Sequence, residues 1–318
     1  MSQAGEARCV EVPETLFDEP TYAKWRDDRL RRAAPQSIDD IVPLSDPSAP
    51  TDHEVAQLSD TVVRNGFAIY QFAGGSGNQS ECSAENSLVA LCQRMGLGRP
   101  LRNPAAKDNG VSRIEYVPKS TTRSAGDRSR YIPYSPERLN WHTDGYYNEA
   151  QRKIRSFVLH CVRDAESGGA NRILDGEMLY ILLRDHSPRL ARALCHPETL
   201  TIPGDQGDNG SGRRTFRGPV FSRDPLTGHV YTRYTRRKHN IRWRQDSSTL
   251  EAIAWINALL DGGEEPIQRW TLAPGQGLIC NNSLHCRSAF MDRPGRGSGR
   301  LLLRLRFGQR ILPRPMDS

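Results

Sequence analysis

The sequence predicts a mainly β protein with α additions, an antiparallel sandwich or jelly roll with helices packed outside it. Short apolar runs with strand character lie on both sides of a helix-rich middle, at 66–70 and 154–162 before it and at 268–272, 277–280 and 301–307 after it. Turn signals separate them, including Pro274-Gly275 and the Asp-Pro-Leu-Thr-Gly run at 224–228. The middle, about residues 176–265, carries helical patterning, so the strands flank an insert.

Residues 1–50, rich in Pro, Asp and Arg, are expected to form an irregular arm with one short helix near 23–32, and residues 51–318 a single domain. A helix over 53–63, capped by Thr51 or Asp52, precedes the 66–70 strand. A loop at 74–80 leads to a second helix at 84–95. Residues 100–140 hold few apolar positions and many Arg, Ser, Asn and Pro, as expected of a long lid loop. In the insert, 179–183, 189–194 and 250–260 read as helical, and Val220-Phe-Ser with Val230-Tyr-Thr-Arg-Tyr234 as a hairpin.

At 318 residues and 36% hydrophobic, the chain can bury a sizeable core. Its first residues lack a basic-then-apolar signal, and no apolar run approaches the roughly 18 residues of a membrane span. Seven irregularly spaced cysteines without Cys-x-x-Cys read as reduced thiols, so a cytoplasmic location is expected. The net charge of +7 comes from 39 Arg and only five Lys, dispersed along the chain, which argues against a nucleic-acid footprint.

Chemistry concentrates at His142-Thr143-Asp144. In an extended segment residues i and i+2 share a side, so both side chains can reach one metal. Imidazole plus a hard carboxylate suits Fe(II) or Mn(II), whereas a structural zinc site favours thiolates. His196-Pro197-Glu198 has the same spacing, but its proline interrupts a strand. His285, just after the 277–280 strand, is a candidate third ligand, completing a two-His, one-carboxylate set. In Leu301-Leu-Leu-Arg-Leu-Arg-Phe307, alternation sends Leu301, Leu303, Leu305 and Phe307 one way and Leu302, Arg304 and Arg306 the other. An inward Arg304 is a costly buried cation unless an anion meets it, and a dicarboxylate would meet it through a bidentate fork.

These residues resemble the TauD/TfdA (taurine dioxygenase-like, clavaminate synthase-like) branch of Fe(II)/2-oxoglutarate-dependent dioxygenases. The resemblance spans about residues 55–312 through His142-Thr-Asp144, Gly168-Gly169-Ala170-Asn171, His285-Cys-Arg287-Ser-Ala-Phe290 and Arg300-Leu-Leu-Leu-Arg304, in the family's order. It implies a double-stranded β-helix (jelly roll, cupin-like) core. It also implies that His142, Asp144 and His285 bind Fe(II), and that Arg304 holds the C5 carboxylate of 2-oxoglutarate. Arg300 would lie near the C1 end, with Asn171 standing where a threonine is usual. The implied reaction uses O2 and converts 2-oxoglutarate to succinate and CO2 while a small organic substrate is hydroxylated. Related halogenases replace the carboxylate by a small residue, so Asp144 points to oxygenation.

For the substrate, Asn140, Tyr146, Arg233 and Asn282 are candidate contacts, with Arg123, Arg130, Tyr131, Tyr134, Tyr147 and Arg236 as further Arg and Tyr positions suited to an anion. A homo-oligomer is compatible with the sequence, and no membrane partner is expected. Two alternatives stay open: a nucleic-acid dealkylating dioxygenase, whose Arg-x5-Arg spacing Arg300 and Arg306 share, and a non-catalytic jelly-roll binding protein.

Overall fold

The computed structural model describes residues 16, 18–33, 40–73, 80–101, 107–118, 132–204, 213–237, 241–263, 265–293 and 299–314. Two sheets face one another. The larger has six strands in the order Val42–Leu44, Phe67–Phe72, Gln276–Cys280, Ser156–Arg163, Leu301–Phe307 and Ser112–Glu115. Its pairs are antiparallel except the first, which is parallel. The smaller runs Gln268–Trp270, Asn171–Leu174, Leu284–Arg287 and Leu139–His142, all antiparallel.

Alternation along the strands makes three apolar layers. Leu303, Leu305 and Phe307 point outward with Val158, Ile279, Tyr70 and Phe72, onto helices α2 (Asp52–Asn65) and α3 (Glu81–Arg94). Phe67, Phe157, Leu159, Leu278 and Leu302 point inward, towards Ile173 of the smaller sheet. Behind that sheet Trp141, Leu174, Leu284 and Cys286 pack against the insert helices α4 (Gly176–His186), α5 (Pro188–Cys195) and α6 (Ser247–Gly262). Full burial of each Leu or Phe stabilises by roughly 1.5–3 kcal/mol, so these layers dominate the fold's energetics.

The local signals explain where helices start and stop. The Thr51 hydroxyl accepts from the Glu54 N–H at 3.2 Å while the Glu54 carboxylate accepts from the Thr51 N–H at 2.7 Å, closing a capping box. Gly66 ends α2 at φ 82° and feeds the next strand. The side chains of Ser80, Asp175, Ser187 and Asp246 each accept a first-turn N–H and so cap α3 to α6, with Pro188 at the first position of α5.

Several expectations need correction. In the described part of the 1–50 arm the expected helix is present and longer, as α1 (Glu19–Arg32), which docks on α4 through Tyr22, whereas Val42–Leu44 is not irregular but an edge strand of the main sheet. The 100–140 lid contains Ser112–Glu115, which forms a strand because the last strand offers it an open edge, and ends in Leu139–His142. Residues 74–79 lie outside the described segments. The insert holds the expected helices and the Phe221–Arg223/Val230–Thr232 hairpin. It also holds an unexpected three-stranded sheet of Leu200–Ile202, Phe216–Gly218 and Arg242–Trp243. No helix among the described residues is long and apolar enough to cross a membrane.

Candidate metal centre and anion pocket

His142 ends one strand of the smaller sheet, and His285, which follows the predicted 277–280 strand as expected, sits inside a further strand, Leu284–Arg287, not foreseen from the sequence. The register places the two directly opposite each other, with ring centroids 4.3 Å apart. Asp144 follows on the turn beyond His142. Thr143 between them is pinned by main-chain and hydroxyl bonds to Tyr234, at 3.0 and 3.3 Å. One ligand atom from each of His142, Asp144 and His285 lies within 4.8 Å of the others, and all three residues are buried.

The protonation of the set fits a divalent cation. His142 Nδ1 lies 2.9 Å from the Asn140 carbonyl and His285 Nδ1 3.0 Å from the Ser283 carbonyl. A carbonyl only accepts, so each Nδ1 carries the proton and each Nε2 lone pair is free for a metal. Burial pushes His285 down to about 3, helped by His142, so it is neutral near pH 7. Burial would raise the Asp144 carboxyl, but Arg304, 3.4 Å from Oδ2, together with His142 and Arg306 holds it well below the usual range. Asp144 Oδ2 is buried and lacks a hydrogen-bond partner. Two free imidazole nitrogens and an orphaned carboxylate oxygen are the donor set a non-haem Fe(II) needs.

Beside these ligands lies a pocket between the sheets, walled by Phe157, Leu159 and Leu302 and carrying Asn171, Arg287, Arg300 and Arg304. Phe157 packs on the His285 ring at 4.8 Å. Arg287 donates to the backbone carbonyls of Pro133, Ser135 and Glu137, and burial with nearby Arg300 pushes it down to about 9. Arg300 sits under the Phe290 ring, 5.1 Å from its centroid, beside the Gly168–Gly169 turn, where both glycines have positive φ. A Cβ at Gly168 would lie 2.3 Å from the Ala289 carbonyl, which explains that glycine. Arg306 is buried on the same strand face as Arg304. Burial lowers it, but Asp144 and Tyr147 raise it further, and its Nε has no partner.

The sequence-predicted substrate contacts separate. Tyr146 stands edge-on to His142 at 6.5 Å, beside Tyr147. Asn140 is exposed and contributes its carbonyl to His142. Arg233 is spent on the Tyr146 and Asn148 carbonyls and stacks on Phe216, and Asn282 is spent on the main chain of Asp144 and Ile154. Neither is available to a substrate. Arg236 pairs with Asp261. Arg123, Arg130 and Tyr131 lie outside the described residues. The His196-Pro197-Glu198 decoy is far less buried than the metal set, and its Glu198 pairs with Arg217. Phe157 and the orphaned Nε of Arg306 were missed; strand alternation placed Arg306 inward, and its only expected part was in the Arg-x5-Arg spacing of the dealkylase alternative.

The family profile "Taurine catabolism dioxygenase TauD, TfdA family" matches residues 30–306. The chain belongs to the TauD/TfdA family. Among curated proteins it is 28% identical over 254 residues to a uridine-5'-phosphate dioxygenase of Amycolatopsis sp, covering 76% of this chain and 86% of that one. It is 30% identical over 250 residues to a protein of the same name from Streptomyces sp, covering 75% and 84%. Solved structures of like fold include asparagine oxygenase with Fe(II), 3-hydroxyasparagine and succinate, at TM-score 0.55, 16% identity and 92% coverage of both chains. Another is the non-haem iron oxygenase OrfP with Fe and alpha-ketoglutaric acid, at 0.54, 15%, and 82% and 81% coverage. This TauD/TfdA protein is thus an Fe(II)/2-oxoglutarate-dependent dioxygenase.

Proposed function

We propose that this dioxygenase oxidises a nucleoside 5'-monophosphate, with UMP the first compound to try. One observation carries the substrate class: a surplus of buried cations. Iron and the 2-oxoglutarate dianion cancel each other's charge, leaving the buried Arg287, Arg300 and Arg306 and the largely buried Arg304 against two carboxylates, Asp144 and, beside Arg300, Asp292. Buried guanidiniums are costly without anions, so a second, multiply charged anion fits the site. The curated relatives named for uridine-5'-phosphate supply a phosphate of that kind. The Tyr146–Tyr147 pair beside His142, with Arg237 donating to the Tyr146 hydroxyl at 3.1 Å and Arg213 over the Tyr147 ring, offers aromatic and basic surface for a nucleotide.

In this reading His142, Asp144 and His285 hold Fe(II). Bound iron, with 2-oxoglutarate and O2, supplies the oxidant, and the reaction releases succinate and CO2. The roles of the two arginines expected from sequence are exchanged. Arg304 lies against the Asp144 carboxylate, at the metal end, so it faces the C1 end of the cosubstrate or the substrate anion. Arg300, at the Gly168–Gly169 end beside Asn171, suits the C5 carboxylate, and the Asn171 amide can donate to it. Phe157, Leu159 and Leu302 exclude water from the space between. The six cysteines among the described residues are all free, in keeping with the cytoplasmic location we assign. The small-molecule pocket between the sheets also favours a metabolite over a nucleic-acid partner.

The test is succinate formation from 2-oxoglutarate with Fe(II), O2 and UMP, compared with uridine. UMP-dependent succinate is expected, with kcat/KM for uridine lower by roughly 10- to 100-fold, the worth of about 1.5–3 kcal/mol of charge-assisted hydrogen bonding. Equal rates for the two, or turnover confined to free amino acids, contradicts the proposal.

A further inference from the structure

We propose that Asn282 is the positioning residue that sets the Asp144 ligand, and that the Asn282-Ser283 turn aligns both metal-bearing strands. Asn282 is buried and holds a left-handed backbone, φ 52°, a conformation that asparagine tolerates better than most residues other than glycine. Its side-chain oxygen accepts from the Asp144 N–H at 2.8 Å. Its amide donates to the Asp144 carbonyl at 3.0 Å and to the Ile154 carbonyl at 2.7 Å. One side chain therefore grips both main-chain groups of a ligand residue 138 positions away. The next residue completes the arrangement. The Ser283 carbonyl accepts from His285 Nδ1–H at 3.0 Å, and the Ser283 hydroxyl donates to the Gly66 carbonyl at 3.0 Å.

The neighbouring Asn281 makes a similar two-way clamp elsewhere. Its side chain accepts from the Ile311 N–H at 2.8 Å and donates to the Ile311 carbonyl at 3.0 Å, tying down the chain after the last strand. The adjacent asparagines thus divide the work: Asn281 fixes the fold and Asn282 the metal site. The inference rests on His142, Asp144 and His285 being the metal ligands, and is independent of the substrate.

The positive φ separates the two possible roles of Asn282. Glycine adopts that backbone at no steric cost, so Asn282→Gly keeps the turn and removes only the amide. Asn282→Asp keeps the shape and the acceptor for the Asp144 N–H, but sets a carboxylate against the Asp144 and Ile154 carbonyls. Calorimetric titration with Mn(II), a redox-inert probe, is run on wild type, both variants, Asn281→Ala and His142→Ala, with Tm measured alongside.

Both Asn282 variants are expected to bind Mn(II) 10- to 100-fold more weakly, the usual cost of losing a group that orients a ligand, with Asn282→Gly keeping a near-wild-type Tm. Asn281→Ala is expected to lose Tm and keep its Mn(II) affinity. Wild-type affinity in Asn282→Gly overturns the proposal. If that variant does not fold, wild-type affinity in Asn282→Asp overturns it instead. A wild type that binds no Mn(II), or His142→Ala binding as wild type does, would instead refute the metal assignment itself.

Discussion

Two buried polar clusters lie on either side of the Asn281-Asn282 turn, and they are built to opposite rules. In the first, Arg29 of α1 pairs with Asp175 and with Glu177 of α4, and Glu177 also meets His229 at 2.9 Å and Arg310 at 3.3 Å. None of Arg29, Asp175 and Glu177 has a buried polar atom lacking a partner. In the second, the candidate metal set and the arginines beside it, Asp144 Oδ2 and the Nε atoms of Arg287, Arg304 and Arg306 all lack one. The hub's charged groups are closed among themselves, joining the N-terminal helix, the insert, the hairpin and the segment after the last strand, while Tyr231 Oη and Thr232 Oγ1 in the cavity beside them lack partners. The candidate metal pocket is left open in hydrogen-bonding terms, and the proposed function completes it with an ion and anions. Buried unsatisfied groups are expensive, so a cluster that retains several of them in one pocket marks a ligand site.

The largest effect that could break this contrast is on chemistry. His142→Ala or Asp144→Ala is expected to abolish Fe(II)-dependent decarboxylation of 2-oxoglutarate, while circular dichroism still reports a folded protein. Next come stability changes at the hub. Glu177→Ala leaves Arg29 with Asp175 alone as its carboxylate, removes the carboxylate that Arg310 meets, and is expected to cost about 3 kcal/mol in urea unfolding, with 2-oxoglutarate turnover preserved in the protein that stays folded. A hub variant that lost turnover but not stability would erase the distinction between the clusters.

Smaller effects sharpen the assignment inside the pocket. Arg300→Ala is expected to raise the KM for 2-oxoglutarate by roughly 10- to 100-fold through loss of a charge-assisted pair. Arg304→Ala is expected to act mainly on kcat and on the nucleotide. The reverse split would return the C5 carboxylate to Arg304, as the sequence resemblance had it.

The smallest effect is with acid. Burial would raise the Glu177 carboxyl, but Arg310, His229 and Arg29 hold it below its ordinary value. A depressed folded-state pKa contributes stability that is fully present above the unfolded value, about 4.3, and is lost as pH falls through the folded one. Tm is therefore expected to fall below about pH 4, and Glu177→Gln to flatten that part of the profile.

The contrast also shows what the sequence could and could not reveal. The His-x-Asp spacing, the Gly-Gly turn and the inward face of the last strand were readable because each depends on local geometry, a period of two or a positive φ. The facing of His142 and His285 across 143 residues was not, since register is set by pairing rather than by either segment alone. Ser112–Glu115, with one apolar residue in four, was invisible for a related reason, being a strand because an edge is offered to it, and Val42–Leu44, though apolar, is three residues long with a proline at its centre. Asn282 and Arg233 were legible as polar residues near the site, and only tertiary contacts show that their donors and acceptors are already used.

The central claim is that the metal pocket is completed by ligands whereas the hub is complete without them. Anaerobic thermal unfolding with and without Fe(II) and 2-oxoglutarate tests it most directly, since a ligand that binds only the folded state raises Tm. We expect a rise with Fe(II), a further rise with 2-oxoglutarate, no rise in His142→Ala and an undiminished rise in Glu177→Gln. No rise in the wild type, or the same rise in His142→Ala, would contradict it.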